Sequence, residues 1–156
     1  MSLDQVDIKI LDLLQSDANL TTAEVAEKVH LSQSPCRRRI HRYQDMGIVS
    51  GKVCILDREA LGMQIVVFTT IKLSRTSGNA LSEFEAAVGD FPEIVECYTM
   101  TGTMDYMLKI VAKDIRHYEQ FVRTNLVQLP NIGEFHSHVA VTRIKDTTAL
   151  PLMTQL

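Results

Sequence analysis

The spacing of the apolar residues changes character once along this chain, and that change limits the folds open to it. In residues 3–47 the apolar positions recur every three or four residues, as in helices, with Leu3, Val6, Ile10, Leu13 and Leu14 on one stripe. From residue 64 onward, short strand-like runs alternate with two helical stretches. An α+β chain is expected, with a helical first part and a mixed second part. A length of 156 residues suits one domain or two small ones.

In the first helix Asp4, Asp7 and Asp12 carry charge off the apolar stripe. Ile8 and Leu11 also lie off it, either as incidental exposed residues or as a second packing surface such as a dimer partner would cover. The run "TTAE", Thr21 to Glu24, is a capping box that opens a short helix burying Val25, Ala26 and Val29 and ending near His30. Ser32 is placed to cap a third helix, Pro35 falls in its first turn, and Gly47 stops it. A longer helix followed by two short ones across a tight turn is a helix-turn-helix pattern.

Residues 48–62 read as a connector, with a strand-like centre from Lys52 to Leu56 between Gly51 and Gly62. Then come a strand (64–73), a helix (78–90) with Leu81, Phe84, Ala87 and Val88 on one face, and strands at 94–100 and 106–112 around the turn "TGTMD". A second helix (114–128) sets Ile115, Tyr118, Phe121, Val122 and Leu126 at core spacing, and "EFHSHVAVTRIK" (134–145) alternates as a last strand. The order βαββαβ is the ferredoxin-like arrangement. The expected division is a helix-turn-helix domain (1–50), a hinge with a short strand (51–62), a ferredoxin-like domain (63–145) and a tail (146–156).

Positive charge is concentrated in one place. The chain has 16 Lys+Arg against 19 Asp+Glu, a formal net charge of -3, yet "RRRIHR" puts Arg37, Arg38, Arg39, His41 and Arg42 into the third helix. At 100° per residue, Cys36, Ile40 and Tyr43 form the inner face; Ser34, Arg38 and His41 lie opposite, with Arg42 nearby and Arg37 and Arg39 on the flanks. The second helix of a helix-turn-helix pair enters the DNA major groove, where arginine pairs with guanine or with phosphate. Gln33, Ser34, Arg37, Arg38, His41 and Arg42 are therefore the candidate DNA-binding residues, and double-stranded DNA the expected partner.

The sequence from Leu3 to Asp57 resembles the N-terminal half of the Lrp/AsnC (feast/famine) transcription regulators, most specifically in "LSQSPCRRRIHRYQDMGIVSG". The resemblance continues through "PEIVECYTMTGTMDYMLKIVAKDIRHYEQF" to "IKDTTALPL". It implies a winged-helix-like DNA-binding domain, a strand-containing hinge, and a ferredoxin-like domain that senses a ligand and mediates oligomerisation. It also implies homodimers that often assemble into octamers, and control by amino acids bound at "TMTGTMDYM". Tyr98, Thr101, Gly102, Thr103 and Asp105 are the effector-binding candidates on that basis. The resembling family usually has an acidic residue where Thr103 stands, which leaves Asp105 as the carboxylate for an α-ammonium. Met100, Met104 and Met107 are either core and interface packing or an adaptable apolar wall that favours an effector such as leucine or methionine. Read from the residues alone, the same stretch is a β-turn with Gly102 at its bend and Asp105 capping the next strand.

Other chemistry is poorly supported. His136 and His138 share one strand face without an evident third ligand, so no metal is expected. Cys36, Cys54 and Cys97 share no CxxC spacing, in keeping with reduced thiols in a cytoplasm. The start "MSLDQVDIK" is no signal peptide, and "MQIVVFTTIKL" is too short to span a bilayer. No P-loop, dinucleotide fingerprint or nucleophile elbow is present, so no catalytic residues and no cofactor are expected. The alternative is a metabolite-binding oligomeric module or small enzyme working through the ferredoxin-like half, for which the arginine-bearing helix would have no use.

Overall fold

The computed structural model describes residues 3–75 and 78–152. It divides into two compact units, one running to Ile55 and taking in the segment from Lys145 onward, the other Leu56–Ile144.

The first unit is built on α1 (Gln5–Ser16), α2 (Thr22–Lys28) and α3 (Gln33–Asp45). Two reciprocal capping boxes start α1 and α2. Asp4 accepts the Asp7 N–H at 2.7 Å while Asp7 accepts that of Asp4 at 3.0 Å, and Thr21 and Glu24 repeat the exchange. Helix α2 ends with His30 at φ +55°, so that the Leu31 N–H reaches back to the Ala26 carbonyl at 2.9 Å. Gly47, at φ +69°, closes α3 in the same manner: its N–H meets the Gln44 carbonyl and the Ile48 N–H that of Tyr43. Ser32 occupies the N-cap of α3 but makes no side-chain cap bond. The third residue of that helix is Pro35, which has no N–H to offer the hydroxyl.

Ile10, Val25, Cys36 and Tyr43 are fully buried in the core of this unit, and Leu11 joins them. Ile8 is only 4% and Leu11 only 6% exposed, so neither offers the second packing surface that the sequence suggested. A helix packed among two others buries a wider arc than one stripe. Asp7, expected on the solvent side, is also buried. The expected tail returns to this unit: Gln15 donates to the Leu150 carbonyl and accepts the Leu150 N–H, each at 2.9 Å, and Leu152 packs on the helical core.

The expected hinge strand is absent from the fold. Residues 51–57 have no regular structure, and Val53, Ile55 and Leu56 are 85%, 78% and 70% exposed. An isolated extended segment cannot become a strand without a neighbour to receive its backbone hydrogen bonds.

The second unit follows βαββαβ order: β1 (Ile65–Leu73), α4 (Gly78–Gly89), β2 (Ile94–Thr99), β3 (Tyr106–Ala112), α5 (Ile115–Thr124) with a 3-10 turn at Leu126–Gln128, and β4 (Ile132–Val139). Its sheet order is β2-β3-β1-β4 with every neighbour antiparallel, the ferredoxin-like arrangement. Strand β4 stops short of the expected residue 145 because β1 runs out: Val139 pairs with Val67, Ala140 donates to Val66, and among the described residues no strand lies beyond. Val67, Ile71, Leu108 and Ile110 line the face that packs with Phe84 and Val88 of α4 and Tyr118 and Phe121 of α5. Ile115, expected in that core, is 56% exposed. It is the first residue after the Asp114 cap, whose carboxylate accepts the His117 N–H at 2.8 Å. The opposite sheet face carries the alternate residues Phe68, Thr70, Met107, Lys109 and Val111 of β1 and β3, with Tyr98 beside Met107.

Candidate nucleic-acid interface and ligand hairpin

Helix α3 is fixed through its inner face and free on its outer one. Cys36 and Tyr43 are fully buried and Ile40 partly so, whereas Gln33, Ser34, Arg37, Arg38 and His41 are exposed. Arg39 and Arg42 are only partly exposed, because both turn back onto α1.

The acceptor is Asp7. Its Oδ1 receives the Arg39 guanidinium, Arg42 Nη2 at 2.8 Å and the Tyr43 hydroxyl at 2.6 Å, while its Oδ2 takes the Asp4 N–H. Arg39 Nη1 also donates to Asp4 Oδ2 at 2.8 Å, and the Arg42 guanidinium stands 5.6 Å over the Tyr43 ring. Burial by itself would push the Asp7 carboxyl up. The Tyr43 hydroxyl, the Asp4 amide and Arg39 outweigh it and bring the carboxyl down to about 2. Burial and the bond to Asp7 push the Tyr43 hydroxyl well up, and bonds to Asp4 and Asp7 raise Arg39 further. Asp7 is thus ionised inside the fold and neutralised by two arginines of the basic helix.

This cluster was missed in the sequence, although it left two signals. Asp4 and Asp7 have capping-box spacing, and Arg39 and Tyr43 lie four residues apart towards the inner side of α3. Of the six DNA-binding candidates, five share the exposed side; Arg42 is held on Asp7.

In the second unit the hairpin between β2 and β3 holds Thr101, Gly102 and Thr103, all exposed. Gly102 has φ +113°, a region closed to most side chains. The Met100 N–H donates to the Asp105 carbonyl at 2.8 Å and closes the loop. Asp105 also splices the hairpin to β1: its N–H donates to the Ile71 carbonyl and its Oδ2 accepts the Leu73 N–H at 2.7 Å. Lys72 Nζ reaches the Thr103 carbonyl at 2.6 Å. Tyr98 is set back on β2, half exposed, with its hydroxyl donating to Glu96 at 3.0 Å. Met104 and Met107 are partly buried and Met100 is exposed.

A cleft of about 370 Å³ lies between α4 and β2 and includes Thr99 and Tyr106, the strand residues that flank the hairpin. Sequence reasoning gave no sign of it. The Tyr106 hydroxyl donates to Glu85 at 2.8 Å on its wall, and burial, then Glu85, push that hydroxyl up to about 12. His136 Nε2 pairs with Glu134 at 2.7 Å, and among the described residues no three metal-ligating side chains converge.

Two family descriptions match this chain. The AsnC-type helix-turn-helix domain covers residues 3–44 and the Lrp/AsnC ligand binding domain covers residues 66–150. The DNA-binding transcriptional activator DecR of Escherichia coli (strain K12) is 35% identical over 150 residues, spanning 96% of this chain and 99% of that protein. A transcriptional regulator from Neisseria meningitidis, solved as its L-Met complex, is 35% identical with a TM-score of 0.94 over 99% of this chain and 100% of its own. An AsnC family transcriptional regulator from Agrobacterium tumefaciens is 38% identical, with a TM-score of 0.93 and the same coverage.

Proposed function

The chain belongs to the Lrp/AsnC family of transcriptional regulators, and on that premise we propose that it binds specific double-stranded DNA through α3 under the control of an amino acid. The observation that carries the reading is the exposed side of α3, where Arg37, Arg38 and His41 project from a helix whose other side is buried. Arg38 and His41, with Gln33 and Ser34 near the helix start, face base edges, and Arg37 on the flank meets phosphate. The relatives named above are transcriptional regulators, and this is a regulator's role rather than an enzyme's. Among the described residues no helix is long and apolar enough to cross a membrane, and a DNA reader works in the cytoplasm.

The sensing role falls to the β2–β3 hairpin, supported by the L-Met complex of the Neisseria meningitidis relative. Thr101, Gly102 and Thr103 are exposed, their backbone N–H groups suit an α-carboxylate, and Tyr98 of β2 is assigned to the border of the site. Asp105 has one oxygen on the Leu73 amide and presents the other to an α-ammonium. The methionines flanking the hairpin favour an apolar amino acid, leucine or methionine.

A homodimer is the minimum unit, with further assembly to an octamer. Its support is the open sheet face of Phe68, Thr70, Met107 and Val111, together with exposed Val53, Ile55, Val141 and Ile144 in segments that lack a strand partner. Effector binding at the hairpin then shifts the assembly and with it operator affinity. The test is a DNA titration at several salt concentrations, with and without methionine. Specific, salt-dependent binding that methionine alters is expected; a chain that binds no duplex at low salt refutes the proposal.

A further inference from the structure

We propose that Asp7 sets the sequence selectivity of this DNA reader by holding Arg39 and Arg42 away from phosphate, a reading that rests on the DNA-binding role given above. Phosphate contacts strengthen binding to every sequence, whereas base contacts separate one sequence from another. A helix with four free arginines in six positions would grip any duplex. Here only Arg37 and Arg38 are free on the exposed side. Arg39 is shared between Asp4 and Asp7, and Arg42 lies on Asp7 and over the Tyr43 ring.

The hold is strong because Asp7 is 2% exposed. A carboxylate out of water keeps its counter-charges, since their departure leaves it buried and uncompensated. A phosphate at the surface competes for Arg39 and Arg42 on unequal terms. Arg42 has the phase to reach the DNA side of α3, so Asp7 acts on recognition through Arg42 first. Asp7 is a positioning residue: it touches no DNA and decides which cations do.

Asp7→Asn tests this. The amide oxygen can still accept the Tyr43 hydroxyl, but the group carries no charge to hold two guanidinium ions. The variant is titrated with a random-sequence duplex and with the duplex that the wild type selects from a random pool. Each released arginine that finds a phosphate should steepen the slope of log affinity against log salt by about 0.9. Random-duplex affinity then falls about 3.5-fold more than that of the wild type between about 50 and 200 mM salt, per released arginine. Random-duplex affinity at low salt rises, and the ratio of selected to random affinity falls. Adding Arg39→Gln and Arg42→Gln to the variant should return the slope to that of the wild type.

A purely structural Asp7 would instead weaken both duplexes in parallel with no change of slope, and that result overturns the proposal. So does a slope that stays steep after both arginines are removed. If Asp7→Asn does not fold, Arg42→Gln alone, which leaves Arg39 on Asp7, decides: an unchanged slope supports the proposal, and a slope flattened by about 0.9 overturns it. A wild type that binds neither duplex removes the DNA-binding reading itself, and the wild-type titration alone reveals that.

Discussion

Acid should loosen the junction of α1 and α3 before it affects most of the second unit, through one carboxyl group. The Asp7 carboxyl sits at about 2 in the fold against an ordinary 3.8, so the folded state favours its ionised form. The stability it contributes is complete above the ordinary value and disappears as pH falls through the folded one. The difference amounts to about 2 kcal/mol, lost progressively from about pH 5 to below pH 2. Protonation at Asp7 also leaves Arg39 and Arg42 without their shared counter-charge, so the loss falls on the contact that ties α3 to α1. Carboxyl NMR can follow Asp7 directly while urea unfolding, read at the Tyr43 ring, reports the helical unit. Tyr43→Phe removes the hydroxyl that donates to Asp7 and should move the carboxyl back up. An Asp7 that titrates at its ordinary value, or that is unmoved by Tyr43→Phe, would show that this cluster does not hold the carboxyl ionised.

Asp105→Asn keeps an oxygen for the Leu73 amide but loses the charge proposed to meet an α-ammonium, so methionine affinity should drop about ten- to a hundredfold in calorimetry while the unit stays folded. Gly102→Ala places a side chain at φ +113° and should destabilise the second unit by about 1–3 kcal/mol, read as a lower urea midpoint. Phe68→Glu puts a charge on the open sheet face and should give a folded monomer in sedimentation, against the dimer proposed for the parent chain.

Elements with a strong local signal were legible in the sequence. The capping box at Thr21 and Glu24, the stop at Gly47 and the alternation in β1 and β3 each rest on chemistry within a few residues. What could not be read depended on distant partners. Asp7 looks like one more solvent aspartate until α3, 32 to 36 residues away, brings two arginines and a tyrosine to it. Lys52 to Leu56 has the composition of a strand, yet no strand among the described residues pairs with it. Gln15 meets Leu150 across 135 residues, a contact no periodicity announces. The exposed side of α3 followed from helical phase alone, but phase put Arg42 there too, since it ignores where a long side chain bends.

On the proposed reading, the exposed side of α3 is what touches DNA. Backbone amide NMR of the full chain, titrated with the duplex it selects from a random pool, tests this without altering a residue. The largest shifts should fall on Gln33, Ser34, Arg37, Arg38 and His41, with smaller ones at buried Cys36 and almost none along β4 (Ile132–Val139). Shifts centred on the sheet or the β2–β3 hairpin, with α3 unmoved, would mean that α3 does not read DNA.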